Sequence, residues 1–327
     1  MSGDRNLTML QAINEALTQL LEDDERVFII GEDIGRHGGS FQATVGLQAK
    51  FGARRVVDAP ISEAGFTGLA VGAALTGLRP IVDLMFADFI TLAMDQLVNQ
   101  AAKYRYMTGG QASVPLVIRA AQGAGQSSAA QHSQLVQAMV ANVPGLKLVL
   151  PATPHDAKGL LIAAVRDPNP VIVLEPKMAY GRKGHVPEEL YEVPLGVANV
   201  CRPGDDVTVV ATSAMVHPAL QAASALAEEG ISVEVIDPRT LVPLDADTIV
   251  ASVSRTGRAV VVDEAPRSYG ITGELAATIA EGAFDFLQAP VRRVCAPDVP
   301  VPFSPRLEKA VIPGVAEIVN AVRGVLA

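Results

Sequence analysis

The stretch VVDAPISEAGFTGLAVGAALTGLRPIVDLMF, residues 56–86, decides the fold. It opens on a short apolar run and passes through a helix-forming series of small and apolar residues. It closes on a second apolar run, PIVDLMF. Strand, helix, strand in immediate succession is the pattern that joins parallel strands. Within it, Glu63 stands at the head of a run with no other charge until Arg79, and glycines recur at 65, 68, 72 and 77. Two readings of Glu63 stand side by side. One is an exposed acid in the first turn of a helix capped by Ser62, where the helix dipole favours it. The other is a buried acid that handles a proton. Burial disfavours the charged carboxyl while the helix N-terminus favours it, and a group balanced this way shares a proton near neutral pH. The glycines let another backbone or subunit come close.

The same alternation extends on both sides. Leu10, Ile13, Leu17, Leu20 and Leu21 recur at helical spacing behind Thr8, a helix cap, and RVFIIGEDIG gives a strand ending in a glycine loop. TLAMDQLVNQAAKYRYM predicts one long helix. VPLVIRAA is a strand followed by the loop QGAGQSSAAQHSQ. LKLVLPATP, a helix from about His155 to Val165, and NPVIVLEPK follow. Residues 181–206 break the pattern with Gly, Pro and charge and read as a linker with one hairpin. A second series then begins with VTVVAT, runs through HPALQAASALAEEG, ISVEVIDPR, DADTIVASVSRTG, RAVVVDEA and a helix after GITG, and ends at PVRRVCA. The fold class is α/β in two domains, residues 1–185 and 206–327, joined by a linker over 186–205.

Composition narrows the function. Of 327 residues, 49% are apolar and only 19% charged, so much of the surface is expected to lie in subunit contacts. A formal charge of −9 argues against a nucleic-acid footprint, and 4% aromatics without tryptophan argue against a base-stacking platform. The cysteines Cys201 and Cys295 make no disulfide framework or metal spacing and fit a reduced, cytoplasmic protein. The N-terminus shows no signal-peptide core, and the uncharged stretch Ala64 to Leu78 is too short and glycine-rich to span a bilayer.

Taken locally, the other candidates stay bland. GAG at 123–125 and GITG at 270–273 are neither a dinucleotide fingerprint nor a P-loop and read as turns. His132 follows a strand end, where α/β sheets place their chemistry, yet its spacing favours an ordinary loop histidine. His37 reads as surface, and His155, His185 and His217 as helix-cap or surface residues. Asp167 and Asn169 are turn formers; a sharp turn there also exposes carbonyls suited to a monovalent cation.

Taken together, the strings are specific. GEDIGRHGGSFQAT, VVDAPISEAGFTGLAVGAALTGLRPIVDLMFADF, DQLVNQAAKYRYMTGG, AAQHSQ, PGLKLVLPATPHDAKGLL, RDPNPVIVLEPKMAYG and IDPRTLVPLD occur in order, from about Leu7 to Val325. This series resembles the β subunit of the thiamine-diphosphate-dependent first component of 2-oxo acid dehydrogenase complexes, which include pyruvate, branched-chain and acetoin dehydrogenases. The resemblance implies a thiamine-diphosphate-binding fold: a pyrimidine-binding domain with a parallel sheet between helices, then a transketolase C-terminal-like α/β domain. It implies that Glu63 bonds pyrimidine N1′ and promotes the imino tautomer that deprotonates the thiazolium carbon. It places Met85 and Phe89 against the pyrimidine ring and His132 near the entrance, where the acyl group passes to lipoate. The carbonyls of Leu116, Ala164, Val165, Asp167 and Asn169 match a potassium site of some relatives.

The chain lacks the GDG…NN string that anchors the diphosphate through Mg²⁺; its GDD at 204–206 has no following Asn pair. The resemblance therefore implies half a site, completed by an α subunit in an α₂β₂ heterotetramer, with a lipoyl acyltransferase core as a further partner. The implied activity is decarboxylation of a 2-oxo acid, or cleavage of acetoin, followed by reductive acylation of lipoate. LMFADF, KYRYM and VPEELY lean toward the acetoin type or a broad bacterial 2-oxo acid branch. The alternatives are a split transketolase-like subunit acting on sugar phosphates and a non-catalytic nucleotide-binding scaffold.

Overall fold

The computed structural model describes residues 5–327 and divides into two units. One runs through Gln122 and adds Met139–Leu195; the other is Gly123–Ala138 with Gly196–Ala327. In the first, β1 (Asn6–Thr8) leads into α1 (Met9–Asp23). Thr8 Oγ1 accepts from Gln11 N at 3.2 Å, and Gln11 Oε1 accepts from Thr8 N at 2.9 Å, the reciprocal capping that the spacing predicts. Then come β2 (Val27–Gly31), α2 (Leu47–Phe51), β3 (Val56–Asp58), α3 (Glu63–Leu75) and β4 (Arg79–Phe86). The unit continues through α4 (Ala102–Met107), β5 (Val117–Gln122), the last three residues of α5 (Gln137–Ala141), β6 (Lys147–Val149), α6 (Pro154–Arg166), β7 (Val171–Pro176) and β8 (Lys183–His185).

The strands pair in parallel in the order β6-β7-β5-β4-β2-β3, with Ile29 opposite Ile81, Val82 opposite Ile118 and Ile118 opposite Ile172. Their apolar runs are buried on both faces, as a parallel sheet demands. Ile13, Leu17 and Leu20 of α1 join Leu160, Leu161 and Val165 of α6 in the core.

The expected long helix over residues 91–107 is not uniformly α-helical. It runs on from residue to residue but changes pitch: a 3₁₀ segment spans Ala87–Ala93, residues 94–95 are α-helical, a π-helical turn spans Gln96–Ala101, and Ala102–Met107 is again α-helical. Apolar periodicity fixes which side chains turn inward, but it does not distinguish three neighbouring helical pitches. The expected hairpin in residues 181–206 is also absent. β8 pairs instead with the distant β1, Asn6 opposite His185, and residues 186–195 lie on the first unit. They are pinned by Lys158, whose fully buried ammonium donates to Glu15 Oε1 at 2.6 Å and to the carbonyls of Pro187 and Glu188 at 2.8 and 3.1 Å.

The second unit holds β9 (Asn199–Arg202), β10 (Val207–Ala211), α7 (Val216–Ala227), β11 (Val233–Asp237), β12 (Thr240–Val242), α8 (Ala246–Thr256), β13 (Ala259–Pro266), α9 (Ile271–Gly282), β14 (Arg292–Ala296), α10 (Pro305–Val311) and α11 (Val315–Leu326). Its five-stranded sheet has the order β14-β13-β10-β11-β9, parallel except for β9. α8 stops at Gly257, which takes the left-handed conformation (φ 70°) that favours glycine.

Candidate active site

α3 begins at Glu63, and Glu63 is buried, 7% exposed. Ser62 does not cap the helix as expected: its backbone (φ −163°, ψ 73°) leaves the hydroxyl without a cap bond. The first turn keeps its free N–H groups beside the acid, so the helix end acts on Glu63 through its dipole. Glu63 makes no side-chain hydrogen bond to another described residue. Of the two sequence readings, the buried acid is the one observed.

A second acid lies next to it. Glu32 follows β2 directly and is 6% exposed, and its Oε1 has no hydrogen-bond partner among the described residues. Its carboxyl is pushed above the usual carboxylate range, first by burial and then by the negative charges of Glu63, Asp33 and Asp83. Sequence reasoning passed over Glu32. The signal was its place at the C-terminal end of a buried parallel strand.

Met85 sits at the corresponding end of β4. Its backbone is left-handed (φ 56°), and the β4–β5 register shifts between Asp83 and Phe86. Such a shift re-aims side chains at a sheet end. The corner is tied by Asp83 Oδ1, which accepts from Met85 N at 3.0 Å, and by Ser40 Oγ, which donates to Met85 Sδ at 2.8 Å. Phe89 stands edge-on to Phe86, centroids 6.0 Å apart, and Phe86 in turn meets Phe41 at 5.2 Å. The buried Lys177, at the end of β7, lies 5.4 Å from the Phe86 ring. An apolar, aromatic ledge beside buried acids with spare hydrogen-bonding capacity can hold a flat heteroaromatic ring and share a proton with its nitrogen.

Behind this ledge is a closed ionic cluster. Arg119 on β5 donates to Glu175 Oε1 and Oε2 at 2.9 and 2.6 Å and also to Asp83, and Tyr180 donates to Glu175 Oε2 at 2.8 Å. Burial works against the Arg119 charge, and Asp83 and Glu175 overcome it, holding the guanidinium protonated. Burial, then the Glu175 charge, pushes the Tyr180 hydroxyl well above its ordinary range.

Of the carbonyls matched to a potassium site, those of Leu116, Ala164 and Val165 have their own partners within the chain. Leu116 O accepts from Val171 N at 2.9 Å, Ala164 O from Asp167 N at 3.3 Å, and Val165 O from Arg79 Nη1 at 2.6 Å. The Asp167 carboxylate binds Lys147, and Asn169 Oδ1 accepts from Arg105 Nη1 at 2.8 Å. Each carbonyl keeps a second lone pair, but Arg79 already places a cation on Val165.

His132 is half-buried and belongs to the second unit, grouped apart from Glu63, Met85 and Phe89. Its loop has left-handed residues at Gly123, Gly125, Ser127 and Ala129. Among the remaining histidines, His37 is exposed and His155 stacks on Tyr191, centroids 4.7 Å apart. No cluster of three or more His, Cys, Asp or Glu side chains able to hold a metal occurs among the described residues, and no helix there is long and apolar enough to cross a membrane.

Residues 5–183 match the family described as transketolase, pyrimidine binding domain, and residues 196–318 match transketolase, C-terminal domain. The chain is 50% identical to the acetoin:2,6-dichlorophenolindophenol oxidoreductase subunit beta of Cupriavidus necator, over 98% of this chain and 97% of that one. It is 47% identical to the 2-oxoisovalerate dehydrogenase subunit beta of Bacillus subtilis, over 93% of both. With the pyruvate dehydrogenase E1 component subunit beta of Rhizobium meliloti it shares 45% identity, over 98% of this chain and 70% of the relative. A solved structure described as a split gene transketolase, inactive beta4 tetramer, superposes with a TM-score of 0.78 at 24% identity, covering 98% of each chain. At that identity the likeness shows the fold alone.

Proposed function

The chain belongs to the family of β subunits of the thiamine-dependent first component of 2-oxo acid and acetoin dehydrogenases, and from that premise we propose that it acts as such a subunit. Its reaction is decarboxylation of a 2-oxo acid, or cleavage of acetoin, with passage of the acyl group to a lipoyl acceptor. The observation that carries this reading is Glu63: a buried carboxyl at a helix N-terminus, without a hydrogen-bond partner among the described residues, beside the buried Glu32. Thiamine diphosphate, when bound, supplies a carbon nucleophile that cleaves the bond next to a carbonyl.

The chain's own residues supply the proton handling and the fit. Glu63 would bond the pyrimidine N1′ and hold the proton shared between them. Glu32, its carboxyl pushed above the usual range by burial and by the charge of Glu63, holds a proton more readily than an exposed acid would. Met85 and Phe89 would pack against the pyrimidine ring and keep water from it. His132 would serve at the entrance, on passage of the acyl group to lipoate.

The chain has no string to anchor the diphosphate, so an α subunit would hold that end with Mg²⁺, in an α₂β₂ assembly served by a lipoyl acyltransferase. Apolar surface beside Glu63 supports a partner subunit there: Ile61 is 85% exposed and Leu69, on α3, 57% exposed. The domain division at 185 and 206, with the first domain binding the pyrimidine, and a cytoplasmic location complete the proposal.

Glu63→Ala should assemble with α and lose about 10²–10⁴-fold in turnover, the range for removing a proton-handling group; near-normal turnover contradicts the mechanism. Potassium at the turn after α6 would have to displace Arg79 from Val165. On this proposal, K⁺ in place of choline raises the thermal midpoint of the assembly, and Arg79→Met enlarges that rise. Equal midpoints in both salts count against the ion.

A further inference from the structure

The loop that carries His132 is held by acids from the far end of the sequence. Its left-handed residues alternate, at 123, 125, 127 and 129, and two of them are not glycine: Ser127 (φ 52°) and Ala129 (φ 60°). Such residues disfavour the loop by about 1–2 kcal/mol each, so something must stabilise it. Alternation of this kind turns successive N–H groups toward one side and makes a concavity that attracts an anion. Here the anions are the chain's own carboxylates. Glu308 Oε1 accepts from Gly125 N at 2.8 Å, and Glu308 Oε2 accepts from Ser127 N at 2.9 Å. Glu264 Oε1 accepts from Ala124 N at 2.5 Å.

Both acids are buried, Glu308 to 3% and Glu264 to 6% exposure, as charge-assisted bonds of this kind require. A side chain at Gly123 would meet the Glu264 oxygens at 2.9 Å, so the carboxylate is seated directly against the backbone. The neighbour of Glu264 on β13 holds the other end of the segment: Gln137 Nε2 donates to Asp263 Oδ2 at 2.6 Å, and Thr212 fixes Asp263 Oδ1 at 2.6 Å. His132 lies between these fixed ends.

We propose that Glu264 and Glu308 are positioning residues that hold the loop 123–129 in one conformation and thereby set the place of His132. The functional part rests on the role proposed for His132; the structural part does not. Carboxylates suit this task and amides do not. A glutamine at 308 presents one acceptor and an NH₂ group that faces the loop's own N–H donors.

The experiment compares the α-assembled wild type with Glu308→Gln, Glu264→Gln and Glu308→Asp by amide hydrogen exchange. It adds two activities, transfer to a lipoyl acceptor and substrate oxidation by an artificial dye. Each lost bond to a charged acceptor should lower the protection of Ala124, Gly125 and Ser127 by about tenfold or more, with the second-unit strands unchanged. Lipoyl transfer should fall more than dye reduction, and Glu308→Asp should restore part of both readouts. Unchanged loop protection overturns the proposal, and so does loss of protection spread across the whole second unit. His132→Ala, assayed in parallel, separates the two claims. If it transfers to lipoate normally, the reading of His132 fails while the exchange result still decides the loop.

Discussion

Two groups of buried acids lie in the first unit, and they differ in how their hydrogen bonds are spent. Asp83 and Glu175 are closed around Arg119, with Tyr180 and the Met85 N–H taking further oxygens. Glu32 and Glu63 are buried to the same degree, yet among the described residues Glu63 has no side-chain hydrogen bond and Glu32 leaves one oxygen without a partner. The first group is complete without a ligand and builds the corner at Met85. In the second, Glu32 carries the desolvation cost of burial with one oxygen left uncompensated. The closed acids serve the fold, whereas the bonds left over at Glu32 and Glu63 are what the proposed cofactor site draws on. The distinction rests on hydrogen-bond accounting, since burial and residue type are alike in both.

Substitutions can break that comparison. The largest expected effect on stability is at the closed cluster. Arg119→Met strands Asp83 and Glu175 without a counter-charge and should cost about 3–5 kcal/mol in denaturant unfolding. A cost under about 1 kcal/mol would mean that the cluster is not held by that cation.

At the open pair the sign reverses. The folded chain favours neutral Glu32, so its stabilising contribution is complete below its unfolded-state pKa and is lost as pH rises through the raised folded value. Glu32→Gln should therefore melt higher than the wild type at neutral pH, with the gap closing toward pH 4. A gap that widens on acidification would contradict the account.

Much of this was legible before any coordinates. Residues 56–86 and the alternation around them specify parallel strands and helices because apolar period and turn residues are local signals. Glu63 stood out because a lone acid heading a small-residue helix is chemically odd. The π-helical turn at Gln96–Ala101 was not legible, since it keeps the same side chains inward. The pairing of β8 with β1 was hidden because it joins residues that are remote in sequence. Glu32 drew no reading of its own, and nothing around Glu308 hints at a bond to Gly125, 183 positions away. Long-range hydrogen bonds leave no periodic trace in a single sequence, which is why the loop's supports emerged only from the fold.

The most direct measurement is a calorimetric titration of thiamine diphosphate with Mg²⁺ into this chain alone and into the chain co-purified with an α subunit encoded beside it. The account predicts tight binding in the mixture only, because the chain offers Glu63 and the aromatic ledge but no diphosphate anchor. Tight binding to the isolated chain would contradict the half-site, and absence of binding in both would contradict the thiamine chemistry itself.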